Sequence, residues 1–211
     1  GTLYKDHIQN ILNHKLELLK KNNVNRNTNE TIILTQDDEN IFRKSLKYFF
    51  TILRISFENE RAIKQIISIF THLCFLSQND LQKCLNYLQE ALLYSPGNET
   101  IHYNLGHIYQ KMNKLELALI HYQLSLNLIS ANLKKPEQKQ EAQQLSLNCL
   151  NGISSIFRAI KQWPQALYYL LKSEKINNSD PDIQNQLGVV YTEMRRTDLA
   201  EIAYNKAIKN Y

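Results

Sequence analysis

The chain has 211 residues, 43% of them hydrophobic, which is enough to bury a core. Its 25 Lys and Arg exceed its 20 Asp and Glu, but the net charge of +5 is spread over single residues and no polybasic arm indicates nucleic-acid binding. No apolar run reaches membrane-spanning length, and no secretory pattern begins the sequence. With only 5 Gly and 4 Pro, the composition favours long helices.

Residues 1–36 are predicted to form one amphipathic helix followed by an Asn-rich loop. The apolar residues of the helix lie on one stripe between residues 3 and 21: Leu3, Ile8, Ile11, Leu12, Leu16 and Leu19. Residues 37–64 are interpreted as divergent helices that start and cap a helical array. Thr35 and Asp38 have the spacing of a capping box, so a helix is expected from about residue 37 to 56, and another from about 59 to 77.

Four columns of residues then recur with a period of 34, interrupted once by 14 further residues. The columns are Thr71, Leu105, Ile153, Leu187; Cys84, Ala118, Ala166, Ala200; Leu88, Tyr122, Leu170, Tyr204; and Ala91, Ser125, Ser173, Ala207. Such a fixed period is typical of a repeat architecture.

The clearest copies read Leu105-Gly106, then Tyr109 and Ala118, and Leu187-Gly188, then Tyr191 and Ala200. This pattern resembles the tetratricopeptide repeat family, which implies an all-α fold: a right-handed superhelical solenoid of antiparallel helix pairs. Residues 65–211 are accordingly divided into four units, 65–98, 99–132, 147–180 and 181–211. Unit one has His72 where the family has Gly, and unit three has Ser154 there.

The 14 additional residues, 133–146, are predicted to be a helical insertion. They contain no Gly and many good helix formers, and Pro136 suits the first turn of a helix. The first helix of unit three is therefore expected to be lengthened and to project from the array. A disordered loop is the alternative that the composition leaves open.

In the family, the first helices of the units line a concave groove. Transferred to this sequence, the groove positions predict a peptide-binding surface of Tyr103, Asn104, His107, Gln110, Lys111, Asn148, Asn151, Ser155, Arg158, Asn185 and Gln186. Amides offer both a donor and an acceptor, so they can match the backbone of an extended peptide, and Asn104, Asn151 and Asn185 are expected to make such contacts. The alternative is that these amides are only a solvated helix face.

Unit one contributes an apolar groove instead, formed by Ile66, Ile69, Phe70 and Leu73. An apolar strip of this kind needs a cover. The helix at 3–21 is the expected cover, and a partner helix is the alternative.

Catalytic, cofactor and metal sites are not expected. His72, His102, His107 and His121 lie near Cys74 and Cys84 in sequence, but their spacing fits no zinc pattern. Tyr109, Tyr122, Tyr191 and Tyr204 are interpreted as core residues. Cys84 stands in a column of small residues and is expected to be buried. The sequence has an odd number of cysteines, Cys74, Cys84 and Cys149, all within predicted helices, which favours a reducing compartment, cytoplasmic or nuclear.

Two functions follow from the resemblance. The first is a non-catalytic protein-interaction scaffold that binds an extended peptide or a partner helix, with no small-molecule substrate, membrane or nucleic acid as partner. The alternative is the substrate-recruiting arm of a larger glycosyltransferase-like enzyme, because Asn104 precedes Leu105-Gly106 as in the asparagine ladder of the O-linked N-acetylglucosamine transferases. Gly152 and Gln186 depart from that ladder. The positions of a chaperone carboxylate clamp match in a single Asn, so such a clamp is not expected.

The chain ends at Tyr211 without a polar capping helix. A solenoid is expected to protect its last unit, so the sequence is interpreted as a fragment or as one partner of a homodimer formed through unit four.

Overall fold

The computed structural model describes residues 60–76, 80–132 and 139–210, together with a few helical positions between 43 and 51. Across these residues it contains eight helices and no strand: α1 (Glu60–Leu76), α2 (Leu81–Tyr94), α3 (Glu99–Lys111), α4 (Leu115–Asn132), α5 (Lys139–Ala159), α6 (Trp163–Ile176), α7 (Pro181–Glu193) and α8 (Thr197–Asn210). The predicted all-α helical-repeat fold is confirmed. The predicted helix at 3–21, the Asn-rich loop and most of the helix at 37–56 lie outside the described residues.

The chain divides into two compact units, residues 1–96 and 97–211. In the first, α1 and α2 pack as a hairpin. In the second, the hairpins α3–α4, α5–α6 and α7–α8 follow one another, and each second helix also contacts the first helix of the next hairpin. This stacking buries apolar residues between neighbours and not at one centre.

Side-chain caps begin three of these helices. Asp80, Asn98 and Asp180 each accept a hydrogen bond from a backbone N–H in the first turn of α2, α3 and α7. Each cap satisfies a donor that the helix itself leaves unpaired.

The turns inside the last three hairpins repeat one backbone conformation. Asn113, Lys161 and Arg195 have φ of 58°, 58° and 59°, in the left-handed region. In each turn the next residue donates its N–H to the carbonyl five residues earlier, on Tyr109, Phe157 and Tyr191 respectively, as in a Schellman motif. Asn113 therefore belongs to the turn that ends α3.

The glycines of the repeat are required by the aromatic ring that packs on them. A Cβ at Gly106 would lie 2.7 Å from the ring of Tyr122, and one at Gly188 would lie 2.5 Å from the ring of Tyr204. Tyr122 is only 2% exposed, so its ring has no room to move away. The glycines thus allow the second helix of each hairpin to approach the first.

Helix α5 is 21 residues long, whereas α3 and α7 have 13 each. Its described part runs from Lys139, inside the predicted insertion, and its first buried residue is Leu147. Residues 133–138 of the predicted insertion, with Pro136, lie outside the described residues. The first turns of α5 therefore extend beyond the part of the helix that packs in the core.

Candidate functional site

The predicted groove residues lie on α3, α5 and α7, and two side-chain hydrogen bonds connect these helices. Gln110 Nε2 on α3 donates to Ser155 Oγ on α5 at 2.7 Å. Arg158 on α5 donates to Gln186 Oε1 on α7 at 3.2 Å. Four of the predicted residues, Gln110, Ser155, Arg158 and Gln186, are thus brought into contact in pairs across the three first helices.

Tyr122 reaches this surface from the second helix α4. Its hydroxyl donates to Gln110 Oε1 at 2.9 Å, so Gln110 is held from both ends. The same ring passes over Gly152, where a Cβ would lie 2.5 Å from Tyr122 Cζ. Gly152 thus has a packing role at the position where a ladder of asparagines would need Asn.

The amides of the groove differ in how far they are already satisfied. The side chains of Asn104, half-buried, and Asn185, exposed, make no hydrogen bond with the described residues. Asn148 Oδ1 accepts from Gln144 at 3.2 Å, while Asn151 Oδ1 is buried without a partner in the structure. Among the described residues, Asn104 and Asn185 therefore keep donors and acceptors without a partner, whereas the side-chain oxygen of Asn151 is buried.

An aromatic pair adjoins these amides on α3. The rings of Tyr103 and His107 stack with centroids 6.5 Å apart, and Tyr103 also contacts Tyr122. Burial, with a smaller contribution from the Lys111 cation, lowers the pKa of His107, and burial raises the pKa of Tyr103. Both side chains are consequently neutral at pH 7, and the positive charges of the groove are Lys111 and Arg158, near the C-terminal ends of α3 and α5.

The four residues of the apolar groove in unit one are buried: Ile66, Ile69, Phe70 and Leu73 are each at most 2% exposed. Phe70 contacts the ring of Tyr87 on α2. The helix expected to cover this strip lies outside the described residues.

Two features of residues 97–211 are not among the sequence predictions. One is a cavity of about 440 Å³ at the N-terminal end of α3, lined by Glu99 and Thr100 of α3, Ile129 of α4, and Glu141, Leu145 and Asn148 of α5, among others. The other is a histidine pair, in which His102 and His121 place their Nδ1 atoms 3.0 Å apart. Neither has a sequence signal, because each depends on which helices become neighbours.

The cysteines are buried thiols. Cys84, fully buried as predicted, donates to the carbonyl of Cys74 at 2.8 Å, and burial raises the pKa of Cys149 to about 11. Within the described ranges, no group of three or more His, Cys, Asp or Glu is arranged to hold a metal ion. In the same part of the chain, no helix combines the length and the apolar character needed to cross a membrane.

These features define an all-α helical-repeat protein whose first helices carry a polar surface. Residues 99–132 and 181–211, which form the hairpins α3–α4 and α7–α8, match the family model of the tetratricopeptide repeat. No curated protein sequence matches the chain.

Solved structures with a similar fold include MamA, with a TM-score of 0.58 and 12% identity, covering 85% of this chain and 96% of that one. BtubC from P. vanneervenii has a TM-score of 0.62 and 16% identity, covering 80% and 71%. A chain of the APC/C hetero-tetramer Cut9-Hcn1 has a TM-score of 0.58 and 14% identity, covering 82% of this chain and 36% of that one. At these identities the likeness concerns the fold.

Proposed function

We propose that this chain is a non-catalytic protein-interaction scaffold that binds an extended peptide along α3, α5 and α7. The observation that carries the proposal is the row of polar side chains on three successive first helices, held in register by the bonds from Gln110 to Ser155 and from Arg158 to Gln186. The side-chain amides of Asn104 on α3 and Asn185 on α7 have no hydrogen-bond partner among the described residues. A peptide backbone carries one donor and one acceptor per residue, which is the complement of such amides.

The repeat matches support the same function, because stacked repeats of this kind form extended binding surfaces. One of the structures with a similar fold, Cut9-Hcn1, is itself a protein assembly. The three cysteines are all buried, and their odd number suits a reducing compartment, so we place the scaffold inside the cell.

The alternative function, a recruiting arm of a larger glycosyltransferase-like enzyme, depends on Asn104. The ladder does not continue in the next unit, because Gly152 accommodates Tyr122, and in the last unit Gln186 is bonded to Arg158. A glycosyltransferase domain encoded after Tyr211 would establish the alternative, and a stop codon or further repeats there would contradict it.

The test of the scaffold function is peptide selection followed by groove substitution. A phage-displayed random peptide library is selected on the chain, and an enriched peptide is titrated against the Asn104→Ala/Asn148→Ala/Asn185→Ala variant. Each amide that bonds the peptide contributes about 1 kcal/mol to the binding free energy, so the triple variant is expected to bind at least tenfold more weakly than the unchanged chain. Its melting temperature is expected to be nearly unchanged. Asn151 is left unchanged because its buried oxygen makes its replacement a test of packing.

The matched control removes three exposed amides from second helices, in the Gln123→Ala/Asn127→Ala/Asn205→Ala variant. This variant is expected to bind the peptide as the unchanged chain does. Equal binding by all three proteins, or failure of the library to yield any peptide, would refute a peptide-binding groove.

A further inference from the structure

The cavity at the N-terminal end of α3 exists because α5 is long. Glu141, Gln144 and Leu145 line it from turns of α5 that precede Leu147, where the repeat of unit three begins. A first helix of 13 residues, like α3 and α7, would lack these turns and this wall. The insertion therefore adds a concavity that a plain repeat array does not have.

The cavity also adjoins the proposed groove. Two of its lining residues, Thr100 on α3 and Asn148 on α5, occupy the same repeat position in units two and three, and this position faces the groove in the family. A peptide lying along α3 and α5 would thus reach the cavity with a side chain.

The lining combines apolar surface with two carboxylates. Ile129, Ala142 and Leu145 supply the apolar part, and Glu99 and Glu141 supply the charge. Asn132 Nδ2 donates to Glu99 Oε2 at 3.0 Å and so holds that side chain, while Glu141 makes no hydrogen bond or ion pair with the described residues. None of the described lining residues is basic.

We propose that this cavity is the subsite for a lysine or arginine side chain of the peptide bound in the groove, an inference that rests on the proposed function. Such a side chain has an aliphatic stem that packs on apolar surface and a cationic end that pairs with carboxylates. The opposite ends of α3 and α5 carry Lys111 and Arg158, which repel a basic residue. The cavity is the part of the groove that selects a cation.

The experiment selects the random peptide library in parallel on three proteins: the unchanged chain, the Glu99→Gln/Glu141→Gln variant, and a Glu116→Gln/Glu201→Gln control. The control makes the same change in net charge at exposed positions on α4 and α8. The unchanged chain and the control are expected to enrich peptides with Lys or Arg at one fixed position. The cavity variant is expected to lose that preference and to bind a selected basic peptide roughly tenfold more weakly.

The outcomes separate this inference from the proposed function. Peptides without a basic preference, or a preference that survives in the cavity variant, would overturn the subsite and leave the scaffold function standing. Failure to enrich any peptide on the unchanged chain would overturn both. If the double variant does not fold, Glu141→Gln alone decides the matter, because Glu141 is exposed and has no hydrogen bond or ion pair with the described residues.

Discussion

The ring of Tyr122 fills the space that side chains at Gly106 and Gly152 would need. A Cβ at Gly152 would lie 2.5 Å from Tyr122 Cζ, and the buried ring cannot retreat. We therefore expect Gly152→Ala to lower the free energy of unfolding by about 1–3 kcal/mol through overpacking, measured by urea denaturation. Gly97→Ala is the control, since its Cβ would meet only Leu128 at 3.9 Å. Equal effects of the two substitutions would contradict this packing.

The left-handed turn residues offer a second test. A residue with a Cβ is disfavoured in this region by about 1 kcal/mol, but Asn tolerates it better than Lys. Lys161→Gly is thus expected to raise the free energy of unfolding by up to about 1 kcal/mol, and Asn113→Gly is expected to raise it less. Thermal denaturation followed by circular dichroism measures both. A Lys161→Gly protein that is less stable than the unchanged chain would show that the turn is not left-handed.

The histidine pair makes stability depend on pH. With the Nδ1 atoms of His102 and His121 3.0 Å apart, one ring donates and the other accepts, so a proton on the accepting Nδ1 breaks the bond. Burial, and secondarily the charge of His102, lowers the pKa of His121 below its ordinary 6.5.

As the pH falls, His121 is therefore protonated in the unfolded chain before it is protonated in the folded chain. The free energy of unfolding is highest above about pH 6.5 and decreases as the pH falls below that value. We expect the urea midpoint to fall between pH 7 and pH 5, and to fall less in His121→Gln. The pKa of His107 is also lowered, so this residue adds to the pH dependence of stability. The urea midpoint of the His107→Gln/His121→Gln protein is therefore expected to change least between pH 7 and pH 5. An unchanged pH dependence in His121→Gln would contradict a role for the pair.

At the scale of elements, the helical hairpins could be predicted from the sequence, but the side-chain contacts between helices could not. The 34-residue columns placed Ala118, Ala166 and Ala200 in buried positions between helices, as the structure finds. The reason for Gly152 could not be foreseen, because it depends on the direction of the Tyr122 ring from the preceding hairpin. Similarly, the cavity and the histidine pair arise from contacts between helices that sequence periodicity alone does not specify.

The extension of α5 yields a prediction of its own. Residues 139–146 are helical but contribute no buried residue, whereas Leu147 and five later residues of α5 are buried: Cys149, Leu150, Ile153, Ser154 and Ile156. In hydrogen exchange, amides near Gln144 are expected to be protected as in a helix, yet to exchange faster than those near Ile153. Unprotected amides throughout 143–146 would instead support the disordered loop.

At the scale of the whole molecule, the repeat pattern predicted the fold class, and the peptide groove stays a prediction. The proposed function depends on what differs between the units. Unit two supplies Tyr103, His107 and Lys111, and unit three supplies Arg158 and the long α5. Homodimerisation through unit four stays a prediction. The molar mass in solution, measured by light scattering, is expected to be twice 24.8 kDa if it is correct, and 24.8 kDa if it is wrong.

The most direct test of the peptide groove is the NMR signal of its side-chain amides. A selected peptide is titrated into labelled protein while the NH₂ resonances of Asn104 and Asn185 are followed, with those of Gln123 and Asn127 on α4 as reference. The proposal predicts saturable shifts at Asn104 and Asn185 and none at the reference amides. Shifts confined to Gln123 and Asn127 would show that the peptide binds the second helices, and the groove of α3, α5 and α7 would not be the binding site.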